Sequence, residues 1–536
     1  LTPEQIDRIA AHGHPRKVEA GERLIEQGDS VIPFFVVVSG ELEAVHPSDG
    51  DDLLITTIGP GMFTGEVSSL SGRRALARIR ATKSGDVIEL DRESMMRVLQ
   101  TDSEIGEILV RAFILRRVGL LQAGVGDVVL IGSTHSAGTL RIKEFLMRNG
   151  HPYQYIDLER DPEVEHLVKA FQIAAGEVPV LICRGSQALR NPTNQEVADC
   201  LGFNESIDET RLRDLVVIGA GPAGLAAAVY GASEGLDVLV IECNAPGGQA
   251  GSSSRIENYL GFPMGVSGQE LAGRAYTQAE KFGAQMLIDK TLRLHCDRKP
   301  YVVGLENGAV IATRAIVVAS GAEYRKPPIE HLERFEGLGV YYGATFIEQQ
   351  LCTGEDVIVV GGANSAGQAA VFLSQKARRV YLLVRRNGLA ETMSRYLSIR
   401  IEETPQIELH ASTEIDELEG EDHLEAVHWR NNQTGETERR EVRHVFLMTG
   451  AVPNTKWLEG CVTLDDNGFV KTGPELTTED LHAARWPLAR APYLLETSLP
   501  GVFAVGDVRG GSIKRVASAV GEGSIAISFV HQVLAQ

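Results

Sequence analysis

Residues 215–224 read LVVIGAGPAG, and LAAAVYGASEG follows at 225–235. Four apolar residues, Leu215 to Ile218, make a short buried strand, and Gly219, Gly221 and Gly224 then form a turn that opens a helix. This order suits a dinucleotide. Gly219 permits the tight turn, Gly221 lets backbone approach a pyrophosphate and Gly224 lets helix pack on strand, while Pro222 and Ala223 lie in the first helical turn, whose N–H groups face the phosphate. A second apolar run, DVLVIE, ends on Glu242, 23 positions after Gly219, where an acid holds the adenosine ribose hydroxyls. A glycine-rich turn alone is weak evidence. With strand, helix and acid in place, the stretch reads as an α/β dinucleotide-binding unit.

The chain around it has 536 residues, too many for one core, and points to three or four domains. A net charge of −20 argues against nucleic acid, whose phosphates need basic stripes, and against an anionic membrane surface. There is no 18-residue apolar run, so no membrane span is expected. The opening LTPEQIDRIAAHG has neither a basic nor an apolar leader region, and we expect no signal peptide. The six cysteines, Cys183, Cys200, Cys243, Cys296, Cys352 and Cys461, include no CxxC, the closest two being 17 apart. That excludes a local zinc ribbon or dithiol motif and points to a reducing, cytoplasmic compartment.

Residues 1–122 alternate short β runs with turns and close with a helical run from Ser94, which suggests a β-roll. Gly28-Asp29, Phe35 to Gly40 and the cassette Phe63-Thr64-Gly65-Glu66 resemble the cyclic nucleotide-binding domain family. The resemblance implies that Glu66 bonds a ribose hydroxyl and that an arginine soon after bonds the cyclic phosphate. In register, with Ala77 and Ala81 matching, that arginine position is Ala75, which leaves Arg73 and Arg74 as the nearest guanidiniums. Loss of a fixed bidentate partner favours a β-roll used for docking or dimerisation over one that binds a cyclic nucleotide.

Residues 123–206 read strand, helix, strand, helix (DPEVEHLVKAF), strand, and resemble a glutaredoxin or thioredoxin-type fold, with Pro179 at that family's cis-proline. Its redox C-x-x-C falls on Ser136-Ala137-Gly138-Thr139. Hydroxyls cannot form a disulfide, so dithiol exchange here is excluded. Cys183 and Cys200 read as buried or incidental rather than as a substitute pair.

After the polar linker SIDETRLRD, the rest of the chain resembles the low-molecular-weight thioredoxin reductase family over about 320 residues. The likeness implies FAD at the first turn, lined by Gly247, Gly248, Gln249, Glu257 and Asn258. It places the crossover out of the FAD domain at VVASGAEYRK, with Ala319 and Gly321, and the return at FLMTGAVPNT, with Gly450. The closing motif supplies Gly506 and Asp507 for the ribityl chain, then Arg515, Val516 and Ala517 at a helix aimed at the isoalloxazine; Val516 replaces the usual Gln. A second half-site at VIVVGGANSAGQ contributes Gly361, Gly362, Asn364, Ser365 and Ala366, with Ala363 for the third glycine. Arg385, 24 positions after Gly361, and Arg386 stand where the first site has Glu242. Guanidiniums suit a 2′-phosphate, so the second site reads as NADP(H), with NAD(H) possible because the family's third arginine is Ala390.

The expected fold class is therefore an α/β multidomain chain with a β-roll at 1–122 and a thioredoxin-like fold at 123–206. Two Rossmann-like domains follow, FAD-binding at 214–326 and 447–536 and NAD(P)H-binding at 327–446. The family's C-A-T-C falls on Gly343-Ala344-Thr345-Phe346, so both relay thiols are missing, and Phe346 would shield or stack on the flavin. We expect an NAD(P)H-dependent flavoprotein with an unknown acceptor, no assigned catalytic side chain, no metal, and a homodimer as the resemblance implies. The alternatives are a ferredoxin or flavodoxin NADP reductase, a non-turnover sensor or scaffold, and a thioredoxin reductase using thiols elsewhere, Cys352 included.

Overall fold

The computed structural model describes residues 1–47, 52–123, 128–133, 136–158, 178–183, 187–204, 207–253, 255–389, 393–421 and 423–536. After α1 (Pro3–Ala10), strands β1 (His14–Val18), β2 (Arg23–Ile25), β3 (Phe34–Val37), β4 (Glu41–His46), β5 (Leu53–Ile58), β6 (Arg78–Lys83) and β7 (Gly85–Leu90) form a roll of two sheets. Their orders are β1-β7-β3 and β2-β6-β4-β5, all pairs antiparallel. Alternate inward residues, Phe35, Val37, Leu42 and Ile79 among them, fill the roll. The short α2 (Val67–Ser71) interrupts it, and α3 (Arg92–Thr101) and α4 (Ser103–Ala123) close it. The helical run that begins at Ser94 in sequence is split at Asp102, which leaves helical geometry and accepts the Ile105 N–H at 3.1 Å, capping the second helix.

Next come β8 (Val128–Gly132), α5 (Ala137–Arg148), β9 (Gln154–Asp157), β10 (Val180–Cys183), β11 (Gln187–Arg190) and α6 (Asn194–Leu201). The sheet runs β11-β10-β8-β9, with β8 and β9 parallel and the other pairs antiparallel. Strand β11 has no apolar alternation and is fixed by its ladder to β10, which is why the sequence did not reveal it. The Val178–Pro179 bond is cis, the isomer the resemblance implies. The helix expected over DPEVEHLVKAF lies outside the described residues. Ser136 caps α5 through the Thr139 N–H, and Thr139 is buried.

Cys183 and Cys200 are buried as expected but not incidental: they form a disulfide between β10 and α6. Cys296 and Cys461 form a second, across 165 positions. Reading only local spacing hid both pairs, because the fold, not the chain, brings these sulfurs together.

The remaining elements are β12 (Arg213–Ile218), α7 (Pro222–Ser233), β13 (Val238–Glu242), α8 (Gly268–Lys281), β14 (Gln285–Ile288), β15 (Thr291–His295), β16 (Tyr301–Leu305), β17 (Val310–Val318) and β18 (Ala322–Tyr324). The chain crosses over into β19 (Val340–Tyr341), α9 (Phe346–Leu351), β20 (Asp356–Val360), α10 (Asn364–Leu373), β21 (Arg379–Val384), α11 (Arg395–Glu402) and β22 (Ile407–Ala411). A hairpin layer of β23 (Thr413–Glu419), β24 (Ala426–Asn431) and β25 (Thr437–Arg440) precedes β26 (His444–Leu447). The return strand β27 (Ala451–Pro453), β28 (Val502–Ala504) and α12 (Val516–Leu534) complete the chain. One parallel sheet runs β14-β13-β12-β17-β28 with a β15–β16 meander on β17, the other β19-β26-β20-β21-β22; β18 pairs β27 at the crossing. Strand β12 begins inside the expected polar linker. Arg213 is fully buried there because Asp237, Gln285 and the Asp208 carbonyl accept its guanidinium at 3.0, 2.7 and 3.1 Å.

The N-terminal parts are not loosely tethered. Val128, Leu130 and Phe145 share one core with Leu215, Val217 and Phe503. Arg73 of the roll is buried, donates to the Asn149 carbonyl (3.1 Å) and the Tyr276 hydroxyl (3.3 Å), and covers the Phe203 ring at 4.0 Å. Beside it Glu280 on α8 is buried. Burial lifts its carboxyl to about 7 against the opposing pull of Arg73, Tyr276, Arg117 and Arg92.

Candidate functional site

The three glycines of the first turn have separate jobs. Gly219 has φ +101°, and a Cβ there would lie 2.4 Å from the Ala319 carbonyl oxygen. At Gly224 it would lie 1.9 Å from the Gly219 oxygen, so α7 could not pack on β12. Gly221 differs: its φ of −67° suits any residue, and the nearest atom to an added Cβ is the Gly248 Cα at 4.0 Å. The fold needs Gly219 and Gly224, whereas at Gly221 it leaves room for a methyl group. Gly221 caps α7, Pro222 is its first residue and Ala223 is buried, so the unpaired N–H groups of the first turn open onto that space.

Glu242 ends β13 and is 8% exposed. Its two oxygens accept the Ala220 and Asn244 N–H groups at 2.7 and 2.9 Å, so the acid braces the turn and keeps further lone pairs for hydroxyl donors. Gly248 (φ +52°) packs on Gly221, and Gln249 donates to the Ala322 carbonyl. Asn258 is exposed, and Glu257 pairs with Arg400 of α11 at 2.7 Å.

At the crossover, Ala319 is buried under the first turn and Gly321 has φ +66°. Ser320 and Asn454 bond reciprocally at 2.8 and 3.0 Å, and Gly450 (φ +56°) accepts the Arg325 N–H at 3.2 Å. In the closing motif the Gly506 N–H donates to Glu522 at 2.6 Å. Burial raises the Asp507 carboxyl, with Lys514 opposing and Glu522 reinforcing. Arg515 caps α12, with Val516 and Ala517 in its first turn. Gly523 lets α12 lie directly on α7, since a Cβ there would meet the Ala223 oxygen at 2.1 Å.

The second turn repeats the plan. Gly361 has φ +144°, and a Cβ there would lie 2.6 Å from the Met448 oxygen. Gly362 follows, and Ala363 caps α10 at φ −104°, an ordinary conformation in which its methyl costs nothing. The Asn364 side chain accepts the Ser394 N–H at 2.7 Å, and Ala366 is buried. Arg385 and Arg386 leave the end of β21 and are exposed. Ala390 lies outside the described residues.

Tyr324 of β18 reaches the second turn: its hydroxyl bonds Ser365, and burial, with the Asp507 charge nearby, raises its pKa. The Glu257–Arg400 pair spans the same cleft. Gly343 has open space around it, and the Phe346 side chain, expected against the flavin, lies outside the described residues. Thr345 N–H donates to Glu348 at 2.8 Å; burial raises that carboxyl, and Glu144 of α5 adds to the rise. A Cβ on Gly337 would lie 2.4 Å from that of Ala137, so the thiol-less Ser136–Thr139 stretch packs against this domain. The two free cysteines, Cys352 and Cys243, have pKa values raised by burial, that of Cys243 to about 12 with the help of Glu242.

Sequence reading missed Tyr324, Arg400, Glu522, Asn454 and Arg148. Arg148 at the end of α5 donates to the Gly248 carbonyl at 2.7 Å, 100 positions away. No local pattern marks such residues, because each acts through a partner on another element.

Residues 213–523 match the family model for pyridine nucleotide-disulphide oxidoreductase, and residues 15–102 match that for the cyclic nucleotide-binding domain. The chain is 33% identical over 332 residues to thioredoxin reductase of Mycolicibacterium smegmatis (61% of this chain, 97% of the relative). It is 30% identical over 326 residues to that of Bacillus subtilis (61% and 96%). Among solved structures it resembles Lactococcus lactis thioredoxin reductase in its FR conformation, at 26% identity and a TM-score of 0.54, covering 60% of this chain and 99% of that one. Among the described residues no helix is long and apolar enough to cross a membrane.

Proposed function

The chain belongs to the pyridine nucleotide-disulphide oxidoreductase family, and on that premise we propose that it oxidises NADPH and hands the electrons on without a dithiol at the family's relay positions. It is a thioredoxin-reductase-like flavoprotein oxidoreductase with FAD and NADPH as cofactors. When both are bound, they supply hydride transfer from nicotinamide to isoalloxazine. The open space over Gly221 fits a pyrophosphate on the α7 N-terminus, with Glu242 for ribose hydroxyls and Asp507 for the ribityl chain. The first turn of α12, with its unpaired N–H groups and the positive end of the helix, would stabilise negative charge on a reduced isoalloxazine held there. On the other side Gly361 to Ala366 receive the second pyrophosphate, and Arg385 and Arg386 the 2′-phosphate. Tyr324 and the Glu257–Arg400 pair hold the two half-sites face to face.

The observation that carries the absence of a relay is the pair Gly343 and Phe346 at the two cysteine positions. Cys352 and Cys243 do not replace them, since neither is paired with another cysteine and Cys352 is buried. A small acceptor such as a quinone or oxygen, or a carrier protein, meets the flavin directly. The −20 charge speaks against an acidic ferredoxin. We include in this reading a homodimer and a cytoplasmic location, although the two disulfides, Cys183–Cys200 and Cys296–Cys461, speak against a reducing compartment. Anaerobic mixing with NADPH should bleach the flavin absorbance, and single Cys→Ser changes at 243 and 352 should leave turnover with a quinone unchanged. Brisk thioredoxin reduction that either change abolishes would contradict the proposal.

A further inference from the structure

The β-roll encloses a cavity of about 500 Å³, within the range of small-molecule sites. Among the described residues, those lining it are aliphatic or Met62, apart from Thr56, Thr64, Ser69, Glu66, Arg116 and two glycines. Ile25, Ile58, Leu76 and Ile79 form the deep wall, Leu120 of α4 closes one side, and Leu53 stands exposed on β5.

The polar groups at the wall are already engaged. Arg117 donates to the Glu66 carboxylate at 2.8 Å and also holds Ser68 and the Gly150 carbonyl. Arg116 donates to the Phe63 and Gly65 carbonyls at 2.8 and 2.7 Å. Thr64 accepts the Phe35 N–H and Ser69 accepts the Glu66 N–H. Of the nearest cations in sequence, Arg73 donates to Asn149 and Tyr276 at the domain junction, and Arg74 donates to the Gly28 carbonyl at 3.2 Å; neither lines the cavity among the described residues. Ala75 occupies the phosphate-facing position with a methyl group. Among the described residues the one cation lining the cavity, Arg116, is already held by two carbonyls, so a cyclic nucleotide would bury its anionic phosphate there without a free guanidinium, at a cost of several kcal/mol. An uncharged apolar molecule has no such cost and gains about 25 cal/mol for each Å² of apolar surface removed from water.

We propose that the β-roll is a binding site for a neutral, largely apolar small molecule and not for a cyclic nucleotide. The roll keeps the architecture of its family with the anion subsite removed and the purine-sized space made aliphatic. Its natural ligand has at most one or two hydroxyl or amide groups, directed at the Thr56, Thr64 and Ser69 side of the cavity.

The test uses the full-length flavoprotein and the neutral fluorophore N-phenyl-1-naphthylamine. Saturable binding of one probe per chain is expected, displaced by 1-decanol and unaffected by millimolar cyclic AMP or cyclic GMP. Ala75→Arg, which plants a charge in the cavity, and Leu120→Trp, which fills it, should each weaken the probe at least tenfold with flavin content unchanged. The competition arm needs only the wild-type chain, so it stands even if a variant misfolds. Displacement by a cyclic nucleotide, absence of saturable binding, or binding that both variants leave intact overturns the proposal. So does probe binding that vanishes as the chain self-associates in sedimentation, which would make a second copy the occupant.

Discussion

Gly221→Ala separates what the fold requires from what the cofactor requires. At φ −67° an alanine is unstrained, and its Cβ would meet only the Gly248 Cα at 4.0 Å. Replacing glycine at such a compatible position reduces the freedom of the unfolded chain, and the cofactor-free protein should be as stable as wild type or more so, by about 0.4–1 kcal/mol. The same methyl stands in the space where backbone must approach a pyrophosphate. Loss of one N–H to phosphate bond, at about 1.5–3 kcal/mol for a charged acceptor, predicts FAD affinity reduced by roughly 10- to 150-fold. The assay is paired: thermal unfolding of cofactor-free protein, and FAD titration followed by quenching of flavin fluorescence. Gly224→Ala is the contrast, since its Cβ would sit 1.9 Å from the Gly219 oxygen. It should lower stability by about 1–3 kcal/mol whether or not FAD is present. If Gly221→Ala binds FAD like wild type, the pyrophosphate does not cross this turn and the assignment of the first site fails.

Three further outcomes follow from particular contacts. Glu280 rises from 4.5 to about 7 on folding, so the native state binds the extra proton and stability falls as pH climbs through that window, by about 3 kcal/mol in all. Glu280→Gln should flatten the urea midpoint between pH 5 and 8 and exceed wild type above pH 7; parallel curves for the two proteins would remove Glu280 from the account. Arg385→Ala with Arg386→Ala should cut kcat/KM for NADPH by about 10- to 100-fold and leave NADH within about threefold, because only the 2′-phosphate loses its charged donors; equal losses with both nucleotides would place the guanidiniums elsewhere. Arg148→Met leaves the Gly248 and Ala245 carbonyls without their donor, at about 1–3 kcal/mol. Loosened flavin should appear in the near-UV circular dichroism, and an unchanged spectrum and Tm would show that the α5 contact is incidental.

The sequence by itself determined the two dinucleotide turns, their order and the missing relay. Each is written in local spacing: strand, glycines, helix and a terminal acid or arginine lie within 30 residues of one another. The empty arginine position at Ala75 was legible for the same reason. Only the tertiary structure showed that Glu242 braces the turn through the Ala220 and Asn244 N–H groups, that Tyr324 and Arg400 join the half-sites, and that four cysteines pair. It also decided that Arg73 serves the domain junction and that the roll's interior is aliphatic. Those facts depend on contacts between residues up to 203 positions apart, as between Arg73 and Tyr276. Periodicity reports which face of an element is buried; it cannot say which distant element will cover that face.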